Sequence, residues 1–243
     1  MNIKMTIEYD GSGFCGWQRQ NNQRTVQGEV EKLLKKFFNQ PITIDGSGRT
    51  DSGVHSMGQV ATFKSNGSFA PEKLKLIMNR LLPKDIFIKE LDEVDLDFHG
   101  RYSAKKKKYI YKIDRSEDRS VFTRKHYCHY TKPLNLEAMK EATKFFIGEH
   151  DFTAFRAKGS GNINPVREVY EINFQEEGNF LEIEFIGNGF LYKMVRIMVA
   201  TLLDVGTGKL EPADIADIII SKDRDRAKKT APPEGLYLAE VYY

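Results

Sequence analysis

The sequence predicts an α+β fold with a largely antiparallel mixed sheet and helices packed on it. Three observations support this prediction. Several short segments alternate apolar and polar residues, which is the pattern of half-buried strands. Other segments repeat apolar residues at three- and four-residue steps, which is typical of amphipathic helices. The predicted strands occur in consecutive pairs between helices, and this order favours antiparallel pairing over a parallel βαβ arrangement.

The first hundred residues contain most of the predicted strands. The first strand alternates from Ile3 to Tyr9, and after a glycine-rich loop a helix begins near Thr25. Further strands are predicted at 42–44, 59–64 and 86–91. Pro71 opens a helix that Pro83 ends. A long basic strand is predicted from about residue 99 to residue 113.

The second part of the chain repeats this order of elements. A helix is predicted at 136–147, followed by the strands VREVYEINF and NFLEIEFIG, which are joined by a hairpin-like turn. Two more helices, at 190–204 and 212–220, precede a final strand at 236–243. We therefore predict two α/β halves, an N-terminal one at 1–104 and a C-terminal one at 105–243.

Composition restricts the class of protein. The chain has 243 residues, with 37 Lys and Arg against 34 Asp and Glu, and its 40% hydrophobic content is that of a globular protein. Its two cysteines, Cys15 and Cys128, exclude a disulfide framework and a four-thiolate metal site. The N-terminus shows no signal peptide, and the longest apolar run, near 197–203, is far shorter than the roughly 20 residues of a membrane span. We expect a cytoplasmic protein that makes no use of a membrane.

Two apparent ligand motifs are weak. Gly11–Gly16 matches the glycine pattern of a dinucleotide-binding loop, but the next helix begins about nine residues after Gly16 instead of at it. We therefore favour a tight loop and expect no dinucleotide. His126, Cys128 and His129 could suggest a metal, but Cys128 and His129 would point to opposite faces of a strand. We expect no metal.

The loop GSGRTDSGVH, at 46–55, places Arg49 and Asp51 between three glycines. Glycines allow a sharp turn and a close approach of the backbone to a ligand. The loop is either a polar turn with a surface ion pair or a catalytic carboxylate with a cationic neighbour. The residues alone leave both interpretations open.

A second polar feature is the segment RYSAKKKKYIYK, at 101–112, which contains six cations and three tyrosines. It is either a solvated face or an RNA-binding segment, in which cations contact phosphates and rings stack on bases. A basic loop at 156–167, containing Arg156 and Lys158, adds to the second interpretation. Arg196 lies in a mostly apolar predicted helix, so it either extends to solvent or meets a carboxylate.

Together these segments resemble the tRNA pseudouridine synthase A (TruA) family. The matching blocks are collinear and span nearly the whole chain; they include YDGSGFCGWQRQ, GSGRTDSGVHSMGQVATF, FHGRYSAKKKKYIYKI, HDFTAFRA, GFLYKMVRIMV and APPEGLYL. The GRTD-x-GVH block is highly specific. Ser52 stands where family members often have alanine, which replaces one small residue by another.

The resemblance implies a fold, an activity and partners. The fold would be the pseudouridine synthase fold, with two α/β halves around a central basic cleft. The enzyme would be a homodimeric isomerase, an intramolecular transferase without metal or organic cofactor. It would convert uridine to pseudouridine at positions 38, 39 and 40 in the anticodon stem-loop of tRNA, after flipping the base out of its stack.

The resemblance also implies roles for individual residues. Asp51 matches the catalytic aspartate and is expected to be the nucleophile. Tyr109 matches the tyrosine that lies against the target base, and Arg196 matches the basic residue that pairs with the aspartate. Arg49 matches an arginine that helps to hold the flipped conformation, and Leu236 matches an apolar residue of the pocket.

The basic segments complete the expected substrate-binding surface: Lys105, Lys106, Lys107, Lys108, Arg156 and Lys158 would line the rim of the cleft. The guanidinium of Arg196 should then lie within about 4 Å of the Asp51 carboxylate. Tyr109 should line the same pocket, and Leu236 should close its apolar wall. A non-catalytic tRNA- or RNA-binding protein of the same fold is the alternative, because it would keep the basic segments without needing Asp51.

Overall fold

The computed structural model of the chain describes residues 1–66, 69–159 and 164–243. In these ranges the strands are β1 (Asn2–Tyr9), β2 (Asp45–Gly46), β3 (His55–Lys64), β4 (Ile86–Val94), β5 (Lys106–Asp114), β6 (Cys128–His129), β7 (Gly148–Asp151), β8 (Val166–Glu177), β9 (Phe180–Gly187) and β10 (Leu236–Tyr242). The α-helices are α1 (Val26–Phe38), α2 (Pro71–Leu81), α3 (Leu136–Thr143), α4 (Met194–Gly206) and α5 (Asp214–Ser221).

The chain divides into two compact units. The first contains Met1–Lys105 together with Tyr237–Tyr243, and the second contains Lys106–Leu236. The predicted C-terminal half, 105–243, differs from the second unit at the end of the chain. The final residues join the first unit because β10 runs parallel to β3, with Tyr237 opposite His55 and Leu238 opposite Ser56. The Ser56 hydroxyl also donates a hydrogen bond to the Leu238 carbonyl at 2.9 Å.

The sheet of the first unit has the strand order β4-β1-β3-β10. β1 is antiparallel to both β3 and β4, and β2 adds a short antiparallel pair to β3. The predicted alternation of β1 is confirmed, since its odd-numbered residues from Ile3 to Tyr9 are buried. They pack in one core with apolar side chains of α1, α2 and β4, which include Val30, Leu34, Leu74, Met78 and Ile88.

Helix α1 begins where the sequence predicts. Thr25 is its N-cap and accepts a hydrogen bond from the Gly28 amide at 3.3 Å. Asn39 ends the helix in the left-handed conformation, with φ of 52°.

The predicted strand at 42–44 is wrong. The strand at this point is Asp45–Gly46, although Ile42 and Ile44 are buried as expected. The Ile44 amide donates to the Glu31 carboxylate at 3.1 Å, and the Ile44 carbonyl accepts from the Gln27 side chain at 3.1 Å. Side chains of α1 therefore satisfy the backbone groups that a neighbouring strand would otherwise bind.

The sheet of the second unit has the strand order β5-β9-β8-β7, and all three of these pairs are antiparallel. β6 adds a short parallel pair to β5. Both units thus contain mixed, mostly antiparallel sheets with helices, which confirms the predicted α+β class. Buried side chains of the second unit include Phe146, Phe155, Phe185, Met194 and Met198.

Two predicted element boundaries are wrong. The basic strand begins at Lys106 instead of near residue 99, because residues 99–103 form a turn in which the Ser103 amide donates to the His99 carbonyl at 3.0 Å. Helix α4 begins at Met194 instead of residue 190, because Lys193 adopts the left-handed conformation, with φ of 61°. Elsewhere, bounds differ by a few residues at the ends, as they do when helices and strands fray.

In the ranges that the structure describes, every helix is too short or too polar to cross a bilayer.

Candidate active site

The loop between β2 and β3 carries Asp51 in the first unit. Asp51 is partly buried, and its carbonyl accepts a hydrogen bond from the Val54 amide at 3.2 Å. Gly53, between these two residues, has φ of 79°, a conformation that favours glycine. The chain therefore turns sharply just after Asp51 and fixes the position of its Cα atom.

The glycine-rich loop Gly11–Gly16 packs against the loop of Asp51. A Cβ atom on Gly11 would lie 2.0 Å from the Val54 carbonyl oxygen, and one on Gly16 would lie 2.6 Å from the Thr50 carbonyl oxygen. The Phe14 carbonyl accepts a hydrogen bond from the Gly53 amide at 3.3 Å. The predicted tight loop is present, and Gly11 and Gly16 are needed because two backbone segments meet there at van der Waals distance.

Thr50, immediately before Asp51, is held on both its backbone and its side chain. The Trp17 amide donates to the Thr50 carbonyl at 3.1 Å, and the hydroxyl groups of Tyr9 and Thr50 are 2.8 Å apart. Burial raises the pKa of Tyr9 far above its ordinary value, so its hydroxyl stays protonated. Tyr9 and Trp17 thus hold the loop from the core side, although neither was predicted to be a site residue.

Arg49 lies on the exposed side of the same loop. Its Nε atom donates to the Gln18 side chain at 2.9 Å. The neighbouring backbone is held by Gln59, which donates to the Gly48 carbonyl at 3.0 Å and accepts from the Ser47 hydroxyl at 2.7 Å. Arg49 and Asp51, the predicted cation and carboxylate, lie on one loop. The hydrogen bonds above fix that loop to β3 and to residues 11–18.

Tyr109 lies on β5 in the second unit. Its side chain is 9% exposed, and its ring meets the Phe190 ring edge to face, with 5.3 Å between centroids. Tyr111, on the same face of the strand, is fully buried and donates its hydroxyl to the Pro232 carbonyl at 2.9 Å. Both rings therefore lie on the face of β5 opposite Ile110.

Arg196 lies in the first turn of α4 and is partly buried. Its Nε atom donates to the Ala231 carbonyl at 2.7 Å, and the Ala231 amide donates to the Arg196 carbonyl at 3.0 Å. These two bonds join the start of α4 to the segment at 231–235. The Nε bond uses one of the five N–H donors of the guanidinium and fixes the plane of the group.

The segment at 231–235 also leads directly to Leu236, which is buried at the start of β10. A Cβ atom on Gly235 would lie 2.7 Å from the Lys112 carbonyl oxygen and 2.9 Å from the Tyr111 ring. This segment therefore packs against β5 and holds Arg196. This segment is part of a block that matches the family, but nothing in the sequence indicated that the Ala231 carbonyl would orient the Arg196 guanidinium.

The four predicted RNA-binding lysines do not share one environment. Lys105 is exposed and precedes β5, whereas the pleat of β5 turns Lys106 and Lys108 to one face and Lys107 to the face of Tyr109. Lys108 forms a salt bridge with Glu184 on β9, at 2.8 Å. The lysines are consecutive in the sequence, but those within β5 are divided between the two faces of the strand.

The predicted basic loop at 156–167 is described only at its ends, since residues 160–163 lie outside the described ranges. Arg156 is partly buried, and its amide donates to the Thr153 carbonyl at 3.2 Å, whereas Lys158 is exposed. At the far end, Arg167 donates to the Asn164 carbonyl at 2.9 Å, and burial lowers the pKa of Arg167.

The predicted site residues thus lie in both units, with Asp51 and Arg49 in the first and Tyr109, Arg196 and Leu236 in the second. Each is held in its own unit by named contacts. The distance between the Asp51 carboxylate and the Arg196 guanidinium stays a prediction. The first unit thus contributes a carboxylate and a guanidinium group, and the second contributes a guanidinium group and a tyrosine ring.

Comparison with known proteins gives a consistent result. A family model described as tRNA pseudouridine synthase matches residues 5–103 and 142–243. The chain is 46% identical over 242 residues to a tRNA pseudouridine synthase A of Acetivibrio thermocellus, with 100% of this chain and 99% of the relative covered. It is 47% identical to a tRNA pseudouridine synthase A of Ruminiclostridium cellulolyticum, with 99% of each chain covered.

One solved structure, described as the crystal structure of a Cbf5-Nop10-Gar1 complex, matches 83% of this chain and 45% of that chain. The identity is 13% and the TM-score is 0.37, a likeness too weak to support an argument.

Proposed function

The chain belongs to the tRNA pseudouridine synthase A family, and we propose that it converts uridines 38, 39 and 40 of the tRNA anticodon stem-loop to pseudouridine with Asp51 as nucleophile. Its activity is that of a tRNA pseudouridine synthase, an isomerase. The observation that supports the role of Asp51 is its position on a loop that packs closely against the glycine-rich loop Gly11–Gly16. A non-catalytic RNA-binding protein loses its support, because the full-length relatives are synthases.

The proposed reaction breaks one bond and forms another at the same ribose carbon. The bond from C1′ to uracil N1 breaks, the base rotates while bound, and C5 bonds to C1′. C5 then loses its proton and N1 gains one, so that the product is an isomer of the substrate. Positive charge develops at C1′ as the first bond breaks, and the ionised Asp51 carboxylate attacks that carbon; the ester bond so formed breaks again when C5 bonds to C1′.

Arg196 is proposed to lie beside the Asp51 carboxylate and to stabilise its negative charge. A guanidinium about 4 Å from a carboxylate contributes about 4 kcal/mol at an effective dielectric constant near 20, before the cost of desolvation. Two observations support this role. Arg196 is a cation in the first turn of a mostly apolar helix, and its hydrogen bond to the Ala231 carbonyl fixes its orientation. We propose that Tyr109 stacks on the base and that Leu236 forms the apolar wall of its pocket.

We propose that Arg49, Lys105–Lys108, Arg156 and Lys158 bind the RNA, so that phosphate contacts offset the few kcal/mol that base flipping costs. In this scheme an N-terminal half carries the catalytic aspartate, and a C-terminal half carries the tyrosine strand and the arginine helix. We further propose that the two halves enclose a central basic cleft and that the enzyme acts in the cytoplasm as a homodimer. Sedimentation equilibrium tests the dimer, whose mass would be twice 27.9 kDa.

The decisive experiment replaces Asp51 by asparagine, which has nearly the same shape but no charge. We expect Asp51→Asn to bind tRNA with unchanged affinity and to unfold at the same urea concentration, while pseudouridine formation falls by at least about a thousandfold. Mapping of pseudouridine in the anticodon arm measures the product.

The matched control is Asp45→Asn, since Asp45 is an exposed carboxylate in the same unit on the short strand that precedes this loop. We expect this variant to act like the wild type. A near-normal rate of product formation by Asp51→Asn would contradict the proposed mechanism.

A further inference from the structure

Three tyrosines lie among the cations of the basic segment, and they differ in exposure. Tyr111 is fully buried and Tyr109 is 9% exposed, whereas Tyr102 is 77% exposed. The proposed mechanism uses the ring of Tyr109 and gives no role to Tyr102. An aromatic side chain that is so exposed loses the burial free energy that most tyrosines in folded proteins gain.

The turn that carries Tyr102 is held firmly to the first unit. The Gly100 amide donates to the Thr62 hydroxyl at 3.3 Å, and the Gly100 carbonyl accepts from the Tyr243 hydroxyl at 2.7 Å. Within the turn, the His99 amide donates to the Ser103 hydroxyl at 3.1 Å. The ring of Tyr102 is therefore exposed on a fixed backbone and is not part of a loose loop.

The neighbours of the ring are aromatic and cationic. The His99 ring lies 4.4 Å from the Tyr102 ring, with 46° between planes, and the Arg101 guanidinium lies 5.6 Å from its centroid. The sixteen residues from 98 to 113 contain six cations and no carboxylate. Exposed cations that flank an exposed ring are the elements with which proteins bind single-stranded nucleic acid, through phosphates and stacked bases.

We propose that Tyr102 is a stacking platform for an unpaired base of the substrate RNA. The proposal rests on the proposed function, because it assumes that the anticodon stem-loop is the substrate. A ring stacks on any base, so this contact positions the RNA without reading its sequence. RNA is favoured over a protein partner because lysine is depleted in protein interfaces, whereas four consecutive lysines, Lys105–Lys108, follow this ring closely in the chain.

The first test compares three variants in binding an anticodon stem-loop RNA. Tyr102→Ala should weaken binding roughly 5- to 150-fold, the loss expected for one stacked base, whereas Tyr102→Phe keeps the ring and should bind like the wild type. Phe87→Ala is the matched control, since Phe87 is a 51% exposed ring on β4 of the same unit. At saturating RNA, all three variants should form pseudouridine at the wild-type rate.

The second test detects stacking directly. Trp17, the single tryptophan of the chain, is buried, so Tyr102→Trp adds an exposed tryptophan whose fluorescence can be followed against the wild type. Stem-loop RNA should quench this added fluorescence, whereas a fully paired duplex of the same length should quench it much less. Equal quenching by both RNAs would overturn the proposal.

The outcomes separate this proposal from the proposed function. If the wild type forms pseudouridine and Tyr102→Ala binds RNA as the wild type does, the stacking proposal is wrong and the function stands. If the wild type forms no pseudouridine in tRNA, the function fails, while the quenching of Tyr102→Trp still decides whether a base stacks there. A change in oligomeric mass of Tyr102→Ala with unchanged RNA affinity would identify a protein contact and overturn the proposal.

Discussion

Asp114, at the end of β5, is a carboxylate that stabilises the fold through local hydrogen bonds. It is buried, and it accepts hydrogen bonds from the Ser116 amide at 3.0 Å and the Thr123 hydroxyl at 2.9 Å. Burial by itself would raise the pKa of Asp114. The hydrogen bonds from Ser116 and Thr123, with the nearby His129, outweigh burial, so the pKa of Asp114 is lowered.

We predict that Asp114→Asn lowers the free energy of unfolding by about 2 kcal/mol at pH 7, the usual size of a hydrogen-bond loss at a charged group. A carboxyl whose folded pKa is depressed stabilises the fold fully above its unfolded pKa, near 4, and loses this effect as pH falls through the folded pKa. Urea unfolding should therefore show the difference between wild type and variant shrinking below about pH 4.

The matched control for Asp114 is Asp118→Asn, because Asp118 is exposed in the same connecting segment. Its free energy of unfolding should stay within about 0.5 kcal/mol of the wild type. A difference between wild type and Asp114→Asn that stays constant from pH 7 to pH 3 would show that the charge of Asp114 contributes nothing.

A residue whose type is unusual for its surroundings could be identified from the sequence as a candidate, whereas its role came only from the family resemblance. Asp51 is a carboxylate among glycines, and Arg196 is a cation among apolar residues. The support for these residues could not be predicted in the same way. The Ala231 carbonyl that orients Arg196 is a backbone group, and every residue has one. Tyr9 and Trp17 are core residues, yet they also hold Thr50 in place.

At the scale of elements, two loops of the first unit depend on a close backbone contact at Gly11. A methyl group on Gly11 would overlap the Val54 carbonyl oxygen at 2.0 Å, and neither backbone segment can move alone. We predict that Gly11→Ala lowers the free energy of unfolding by at least about 2 kcal/mol. Pseudouridine formation should fall about a hundredfold, because small displacements of a catalytic group cost about that much. Urea unfolding and single-turnover assays measure the two effects.

Gly13 is the matched control on the same loop. A methyl group there would lie 3.0 Å from the end of the Arg24 side chain, which needs to shift by only a few tenths of an ångström and can keep its ion pair with Asp85. Gly13→Ala should stay within about 0.5 kcal/mol of the wild type and keep its rate. Equal effects of the two substitutions would mean that any loss of glycine on this loop matters and that the contact with Val54 does not.

Elements with strong local patterns were predicted well, and elements fixed by distant residues were not. The period of α1 and its N-cap at Thr25 are local, and so is the hairpin of β8 and β9. The strand expected at 42–44 failed because Gln27 and Glu31, more than ten residues earlier, bind the backbone of Ile44. No short-range pattern contains that information.

At the scale of the whole molecule, the formal charge of +3 gives little indication of an RNA partner, since the positions of the charges matter more than their sum. The pairing of β10 with β3 brings the last residues of the chain back to the first unit, and this long-range step was absent from the predicted division at 104. The lysine run was easy to find in the sequence. The pleat of β5 and the salt bridge from Lys108 to Glu184 became visible only in the structure.

The last prediction distinguishes the effect of where the cations lie from the effect of the total charge of the chain. Replacing Lys105–Lys108 by alanine and replacing Lys32, Lys35, Lys36 and Lys73 by alanine each remove four cations, so each takes the formal charge from +3 to −1. The second set lies exposed on α1 and α2. If only total charge mattered, both variants would bind tRNA equally weakly.

We expect the two variants to differ in the slope of log affinity against log salt. Each phosphate contact contributes about −0.7 to −0.9 to that slope, through release of the counterions that it displaces. Loss of Lys105–Lys108 should flatten the slope by the contribution of about two to three phosphate contacts. The full contribution of four contacts is not expected, because Lys108 is already paired with Glu184. The control set should leave the slope nearly unchanged. Equal slopes for both variants and the wild type would mean that the lysine run is a solvated face and that the RNA binds elsewhere.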